Sequence, residues 1–173
     1  MKLSKILVGL SCFSLLISCK PYAATFNDDV FIEEQIKDIT HLMKENKAEE
    51  LYDYFSVNTK NETPTLREDV SKLCEYYTGG EFVKWFSGGN SVGTNEQFDH
   101  GKTVKSLISR SKFKAETKNY FIQMSWTTKD SYDNNNVGIK FLYITEFNDG
   151  EEPVTTFSRN GEVILINEQN GKE

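Results

Sequence analysis

The sequence is poor in the residues that build metal-bound or cross-linked frameworks. It contains three Cys, two His and three Pro among 173 residues. His41 and His100 lie far apart, and neither has a partner at ligand spacing. A zinc site needs three or four coordinating groups, so the composition excludes one and we expect no cofactor. We assign His41, within a predicted helix, a structural or surface role.

An excess of basic residues is also absent. The chain has 20 Lys and Arg against 26 Asp and Glu, a formal net charge of −6. Binding to nucleic acid needs clustered Lys and Arg to displace counterions, so we exclude it. The length fits one domain, and 38% hydrophobic residues are enough for a core, which excludes wholesale disorder, collagen, coiled coils and multidomain arrays.

No apolar run reaches the roughly 20 residues that a membrane-spanning helix requires. The longest, Ile6–Ser18, follows Lys2 and Lys5 and has the length of a signal-peptide core. We therefore predict that residues 1–18 are a signal peptide that is removed.

The run ends in Leu16-Ile17-Ser18-Cys19, which resembles the lipobox of bacterial lipoproteins. The resemblance implies that Cys19 receives the lipid and begins the mature chain. Lys20 follows, and in a Gram-negative cell the absence of Asp there implies the outer membrane, facing the periplasm. The alternative is ordinary cleavage near Ala23 or Ala24, which lacks a small residue three places before the cut.

Processing would leave one free thiol. Cys12 leaves with the signal peptide and Cys19 is lipidated, so Cys74 has no partner for an intrachain disulfide. We predict that Cys74 is a small buried residue on a helix. Loss of Lys2 and Lys5 takes the formal net charge from −6 to −8. Residues 19–27 form a lipidated tether, and residues 28–173 form a single domain.

Hydrophobic periodicity predicts three helices followed by strands. The first runs from Asp28 to about Asn46 and is capped by Asp28 or Asp29. The second is short, and the third begins at a capping box, Thr65-Leu66-Arg67-Glu68, and stops at Gly79-Gly80. The predicted later helices span 47–55 and 65–78.

After Gly80 the period changes to two, which indicates strands. The Asn160-Gly161 pair predicts a hairpin between the last two strands. A polar loop is expected from Ser87 to Gly101. The predicted strands are 81–86, 102–116, 120–126, 137–147, 154–158 and 162–166.

The motifs of common enzymes are absent. There is no Gly-x-Ser-x-Gly, and the glycine pairs do not continue into a phosphate-binding loop. Asp99 and His100 are adjacent on an extended chain and would point to opposite faces, so we do not predict an acid–base pair there. The run from Asp130 to Gly138 lacks the ligand pattern of a calcium loop and is predicted to be a turn between strands. We therefore expect no catalytic residues and no enzyme activity.

Two groups of residues are candidates for binding. Aromatic side chains on the strands would face one side of a curved sheet, where they form the core or line a pocket. Acidic residues on the first two helices form a solvated face or dock a basic protein. The possible pocket residues are Trp85, Tyr120, Trp126, Phe141 and Tyr143, and the possible docking residues are Glu33, Glu34, Asp38, Glu45, Glu49 and Glu50.

The pattern of helices before a bent sheet resembles the nuclear-transport-factor-2-like cone fold, and more closely an uncharacterised family of bacterial lipoproteins with that fold. The likeness covers about residues 28–166. It rests on Glu75-Tyr-Tyr-Thr-Gly-Gly80, Gly88-Gly-Asn90, Asp99-His-Gly-Lys102 and Asn136-Val-Gly138. It implies an α+β fold in which the helices pack on a strongly curved antiparallel sheet. No catalytic residue of the cone enzymes matches, so the likeness implies no activity.

We therefore expect a non-enzymatic envelope lipoprotein, bound to the membrane through its lipid, that binds another protein. A protein that neutralises a toxin delivered to the periplasm fits best. The alternatives are a pocket that binds or converts a small apolar molecule, and an accessory of envelope assembly.

Overall fold

The computed structural model describes residues 27–150 and Pro153. The predicted strands at 154–158 and 162–166, the signal peptide and the tether up to Phe26 lie outside this part of the chain. The described residues form an α+β fold in which helices pack on an antiparallel sheet. The elements are α1 (Asp28–Lys44), α2 (Ala48–Asp53), α3 (Val57–Glu62), α4 (Leu66–Tyr76), β1 (Phe82–Asp99), β2 (Lys102–Ala115), β3 (Asn119–Asp130) and β4 (Gly138–Phe147).

The three predicted helices are present, and α3 is an addition. Apolar residues at helical spacing face the core from α1 and α4, while charged residues occupy the outer faces. The extra helix α3 is a single polar stretch that begins where Ser56 Oγ accepts a hydrogen bond from Thr59 N. Its low apolar content explains why hydrophobic periodicity did not predict it.

Two predicted helix caps are wrong. The side chain of Asn27, and not Asp28 or Asp29, caps α1 by accepting from Val30 N. Asp28 instead contacts Thr94 and Lys105 on the sheet. At α4 the Thr65 side chain makes no capping bond, because its backbone already has helical angles that turn the hydroxyl away from the first free N–H groups.

The strands pair in the order β1-β2-β3-β4, each antiparallel to the next. The predicted loop from Ser87 to Gly101 is wrong, because β1 continues to Asp99 and pairs with β2. Positive φ at His100 and Gly101 makes the tight turn between the two strands. The pairing is interrupted between Trp85 and Asn90, where extra residues of β1 lie opposite a short stretch of β2.

The core lies between the helices and one face of the sheet. Apolar side chains from all four strands and from α1, α2 and α4 meet there. A smaller aromatic cluster lies apart from this core. The largest fully buried side chains include Ile32, Ile36, Ile39, Leu51, Leu66, Leu73, Leu107, Phe113, Tyr120 and Ile122.

Chain connections tie the helical layer to the far edge of the sheet. Ser56 N donates to Ile139 O at 3.0 Å, and Ile139 N donates to Tyr54 O at 2.9 Å. Gly138 lies beside this contact with a φ of 125°, and a Cβ there would lie 2.8 Å from Ser56 N. Only glycine allows both this backbone conformation and this close approach.

Candidate binding surface

The five aromatic residues predicted to line a pocket are divided between two clusters. Trp85, Tyr120 and Trp126 belong to the main core beneath the helices. Phe141 and Tyr143 belong to the second cluster, together with Phe86, Phe121 and Phe147. The structure therefore brings together three of the five predicted residues and separates them from the other two.

Tyr120 is fully buried and its polar group is used inside the protein. Its hydroxyl accepts a hydrogen bond from Thr78 N at 3.3 Å. Its ring centroid lies 4.7 Å from that of Tyr77 and 5.7 Å from that of Phe113. Burial raises the pKa of the Tyr120 phenol, so the group is neutral at physiological pH.

The two tryptophans are half-buried at the border between α1 and the sheet. Trp85 packs on Phe82 and Phe113 and donates its Nε1 hydrogen to Glu33 Oε2 at 3.1 Å. Trp126 packs edge-on with Phe31 and Tyr54 at centroid distances of 5.5 and 5.9 Å. Both indoles thus hold the helices against the sheet.

A chain of buried polar side chains crosses β1 and β2. Ser109 and Ser111 are fully buried, and their Oγ atoms lie 2.7 Å apart. Ser111 Oγ donates to Asn90 Oδ1, also at 2.7 Å. Sequence reasoning missed these residues, although the alternation from Leu107 to Phe113 on β2 places both serines on the inward face.

The six predicted docking acids lie on α1 and α2 and differ in their surroundings. Four are paired with neighbouring bases: Glu33 with Lys37 at 2.6 Å, Glu45 with Lys44 at 3.7 Å, Glu50 with Lys47 at 3.4 Å, and Glu49 with Arg67. Glu34 and Asp38 are exposed and have no ion pair within the described residues.

Acidic residues of the first two helices act electrostatically on Tyr54. Burial of its half-buried phenol raises the pKa of Tyr54, and the negative charges of Asp38 and Glu50 raise it further. Asp38 belongs to α1 and Glu50 to α2, so both helices contribute to one negative region. A half-buried aromatic ring in a region of negative charge suits a cationic partner.

Charge is divided unequally between the two layers. From Asp28 to Tyr76 the chain carries 13 acidic and 6 basic residues, whereas from Phe82 to Phe147 it carries 6 acidic and 9 basic residues. Of these two layers, the helical one is therefore negatively charged and the sheet is positively charged. Such a layer attracts cationic surfaces and repels anionic ones.

The structure also shows the surroundings of the Cys and His residues singled out in the sequence. Cys74 is buried on α4 as predicted, and burial raises the pKa of its thiol to about 11. His41 Nδ1 lies 3.0 Å from Glu81 Oε1. Asp99 and His100 contact each other at the exposed β1–β2 turn, so the expectation that they point to opposite faces is wrong, because His100 has a φ of 47° and is not extended. In residues 27–150, no three His, Cys, Asp or Glu side chains come together as a metal site requires.

The connection between β3 and β4 is a hydrogen-bonded loop, and the predicted turn between strands is confirmed. Asp130 accepts from the backbone N of Asp133 and Tyr132 and from Asn136 Nδ2, at 2.9 to 3.0 Å. The backbone hydrogen bond from Asp133 is the main reason that the pKa of Asp130 is lowered. Its oxygens are thus engaged by N–H groups.

The helices described here are too short or too polar to cross a membrane. Residues 38–149 match the family described as Domain of unknown function (DUF5104). The chain belongs to this family. The match extends from the middle of α1 to the residues after β4, and so includes Asp38, Glu50 and the five predicted aromatic residues, but it begins after Glu33 and Glu34. No curated protein is significantly similar to the chain.

Proposed function

We propose that this DUF5104 protein is a non-enzymatic lipoprotein of the cell envelope that binds a basic protein through its helical layer. Neutralisation of a toxin delivered to the periplasm is the role that fits best. The unequal division of charge between helices and sheet carries the proposal. A negatively charged layer speeds the encounter with a positively charged partner and rejects anionic ones.

The region around Tyr54 is the proposed centre of the interface. The charges of Asp38 and Glu50 act on it, and Glu34 lies one turn before Asp38 on α1. Interface centres are rich in aromatic residues surrounded by polar groups. Glu33, Glu45 and Glu49 have basic neighbours, as does Glu50, and they would contribute at the margin of this region.

The first partner to test is a toxin encoded beside the gene for this protein. The purified domain is mixed with it, and the dissociation constant is measured at two salt concentrations. We expect a stable complex that weakens as salt rises. Failure to bind at micromolar concentration would contradict the proposal.

A matched pair of charge reversals locates the interface. Asp38→Lys and Glu96→Lys change the net charge equally, but Glu96 lies on β1, outside the helical layer. We expect Asp38→Lys to weaken binding about 10-fold or more, and Glu96→Lys to change it less than about 3-fold. Equal losses would indicate an effect of net charge without a local interface.

The lipid anchor is a separate part of the proposal. Cys19 would receive the lipid, and the tether would hold the domain near the membrane. Several acyl chains give stable anchoring, which a single chain does not. Cys19→Ser should abolish labelling by a radioactive fatty acid and leave uncleaved precursor; unchanged labelling would overturn the anchor.

A small apolar ligand is the second candidate. The half-buried indoles of Trp85 and Trp126, and the buried hydroxyls of Ser109 and Ser111, favour it. The two indoles are the only tryptophans of the chain, so a ligand between helices and sheet should change the intrinsic fluorescence. A panel of hydrophobic ligands without any such change would remove this candidate.

We also propose that the sheet closes into the cone of the nuclear-transport-factor-2-like fold. Breaks in register on all three strand pairs support the proposal, at Trp85/Asn90, Lys105/Ser106 and Ser125/Trp126. Irregularities of this kind bend strands and increase their twist. A crystal structure with a flat sheet would contradict it.

A further inference from the structure

We propose that the end of the domain formed by the β1–β2 turn rests on the phospholipid surface, with Phe98 and Tyr132 at the depth of the headgroups. This end, called the hairpin end below, comprises Phe98–Lys102 and Tyr132. The inference rests on the lipid anchor proposed at Cys19.

The proposed tether joins the domain at the start of α1, beside the half of β1 that leads to the hairpin end. The structure begins at Asn27, and Asp28 directly follows it. Asp28 accepts from Thr94 Oγ1 at 2.5 Å and from Lys105 Nζ at 2.7 Å. These bonds fix the start of α1 against the parts of β1 and β2 that lie near the turn between them. Phe98 is four residues beyond Thr94 along the same strand, about 14 Å away.

Two large apolar side chains are exposed at this end. Phe98 is 75% exposed and Tyr132 is 53% exposed, and Phe98 has the highest exposure of the large hydrophobic residues in the described part of the chain. Tyr132 is held in place, because its hydroxyl donates to Asp99 Oδ2 at 3.0 Å and Lys102 Nζ lies 4.5 Å from its ring centroid. Exposed aromatic side chains fit the region between headgroups and acyl chains.

Because the proposed tether is short, weak contacts between the domain and the membrane would be enough to orient the domain. Residues 20–27 extend to at most about 25–30 Å from the lipidated Cys19. Because the anchor already keeps the domain near the bilayer, a contact by two side chains acts at high effective concentration and needs only to orient the domain.

The charges around the hairpin end indicate the kind of lipid surface. Lys102 and Lys129 are exposed there, but Glu96 and Asp99 are exposed beside them. The opposite signs offset each other, so contact should depend little on anionic lipid. In this orientation Glu45, directly after the other end of α1, lies away from the membrane.

The test uses the full mature lipoprotein in vesicles of phosphatidylethanolamine and phosphatidylglycerol. Phe98→Cys and Val83→Cys each introduce a thiol at an exposed position of β1, at opposite ends of the strand. Cys74 is buried, so an environment-sensitive fluorophore should label the new thiol selectively, and the unsubstituted lipoprotein measures background labelling. Spin-labelled lipid then quenches fluorophores near the headgroups.

We expect quenching at position 98 at least about three-fold stronger than at position 83, with little change when phosphatidylglycerol is left out. Equal quenching at both positions, or none at position 98 in protein that sediments with the vesicles, would overturn the inference. The inference would also be overturned if an added protein partner, but not vesicles, protected the thiol at position 98 from labelling. Protein that fails to sediment with vesicles would overturn the anchor as well, and sedimentation therefore separates the two failures.

Discussion

The indole of Trp85 on β1 donates its Nε1 hydrogen to the Glu33 carboxylate on α1, at 3.1 Å. The bond joins an aromatic residue of the sheet to an acid of the helical layer. Glu33 also accepts from Lys37 Nζ at 2.6 Å, and this bond, followed by the one from Trp85, lowers the pKa of Glu33. One carboxylate thus serves both its own helix and the contact between layers.

Replacing Glu33 should therefore lower the free energy of unfolding more than replacing its neighbour Glu34. Glu33→Ala removes the acceptor of the half-buried indole, and we expect a loss of about 0.5–1 kcal/mol in the free energy of unfolding, because solvent partly screens the bonds. Glu34→Ala is the control, because Glu34 is exposed and should change stability by less than about 0.5 kcal/mol. Urea denaturation of both variants is the measurement, and equal losses would show that the Trp85 bond adds nothing.

Glycine should be required at position 138. The Gly138→Ala substitution would place a Cβ 2.8 Å from Ser56 N and from Tyr54 O, at a φ of 125°. We expect a loss of about 2 kcal/mol or more in the free energy of unfolding. At Gly93 the nearest atom to an added Cβ is Ile108 O, at 3.9 Å, so Gly93→Ala should be tolerated. Thermal unfolding of both variants decides the question, and similar melting temperatures would contradict the prediction.

The contact of Asp28 with Lys105 should make stability depend on pH. Burial opposes ionisation of Asp28, but hydrogen bonds from Lys105 and Thr94 and the charge of Lys105 outweigh it and lower the pKa below the ordinary 3.8. The unfolded chain then takes up the proton more readily, so the stabilisation is complete above about pH 5 and is lost as the pH falls through 4 and below.

Asp28→Asn should accordingly reduce the free energy of unfolding by roughly 1 kcal/mol at pH 7 and by less near pH 3. Asp29→Asn is the matched control, since Asp29 is the exposed neighbour on the same helix turn. Urea titrations at pH 7, 5, 4 and 3 give the comparison, and a loss independent of pH would contradict the assigned cause.

Cys74 should be unreactive in the folded protein. Burial, and then the negative charge of Glu75, raise the pKa of its thiol to about 11, so little thiolate exists at pH 8. We expect modification by a disulfide reagent to be at least about 100-fold slower than in denaturant. Absorbance of the released thiolate follows the reaction, and Cys74→Ser provides the baseline. Rapid modification without denaturant would mean that the site opens readily.

Long amphipathic elements could be predicted from the sequence. Ile32, Ile36, Ile39 and Met43 recur at helical spacing, and all four are buried on α1. β3 and β4 were likewise predicted from alternation that continues over many residues. Such patterns report the burial of one face, which dominates the energy of an element.

The part of β1 after residue 86 could not be predicted, because its local composition does not favour a strand. Gly88, Asn90, Gly93 and Asn95 all have low strand propensity. Pairing with β2, whose Val104, Leu107 and Ile108 favour a strand, overrides this preference. A pattern within one segment cannot report what its neighbour contributes.

The candidate site was predictable in its residue types but less so in its arrangement. The acids of α1 and α2 were found from the sequence, but their combined effect on Tyr54 depends on how the two helices pack. The division of the aromatics also depends on strand register, since Phe141 and Tyr143 pair with Ser125 and Gln123 of β3 and therefore face the side of the sheet opposite to Tyr120 and Trp126.

The main-chain bonds between Ser56 and Ile139 and between Tyr54 and Ile139 have a consequence for how the domain melts. The segment between α2 and α3 shares amide partners with the last described strand, so neither layer can lose its structure while the other keeps its own intact. Heating should therefore give one calorimetric transition, in which helical and sheet signals disappear at the same temperature.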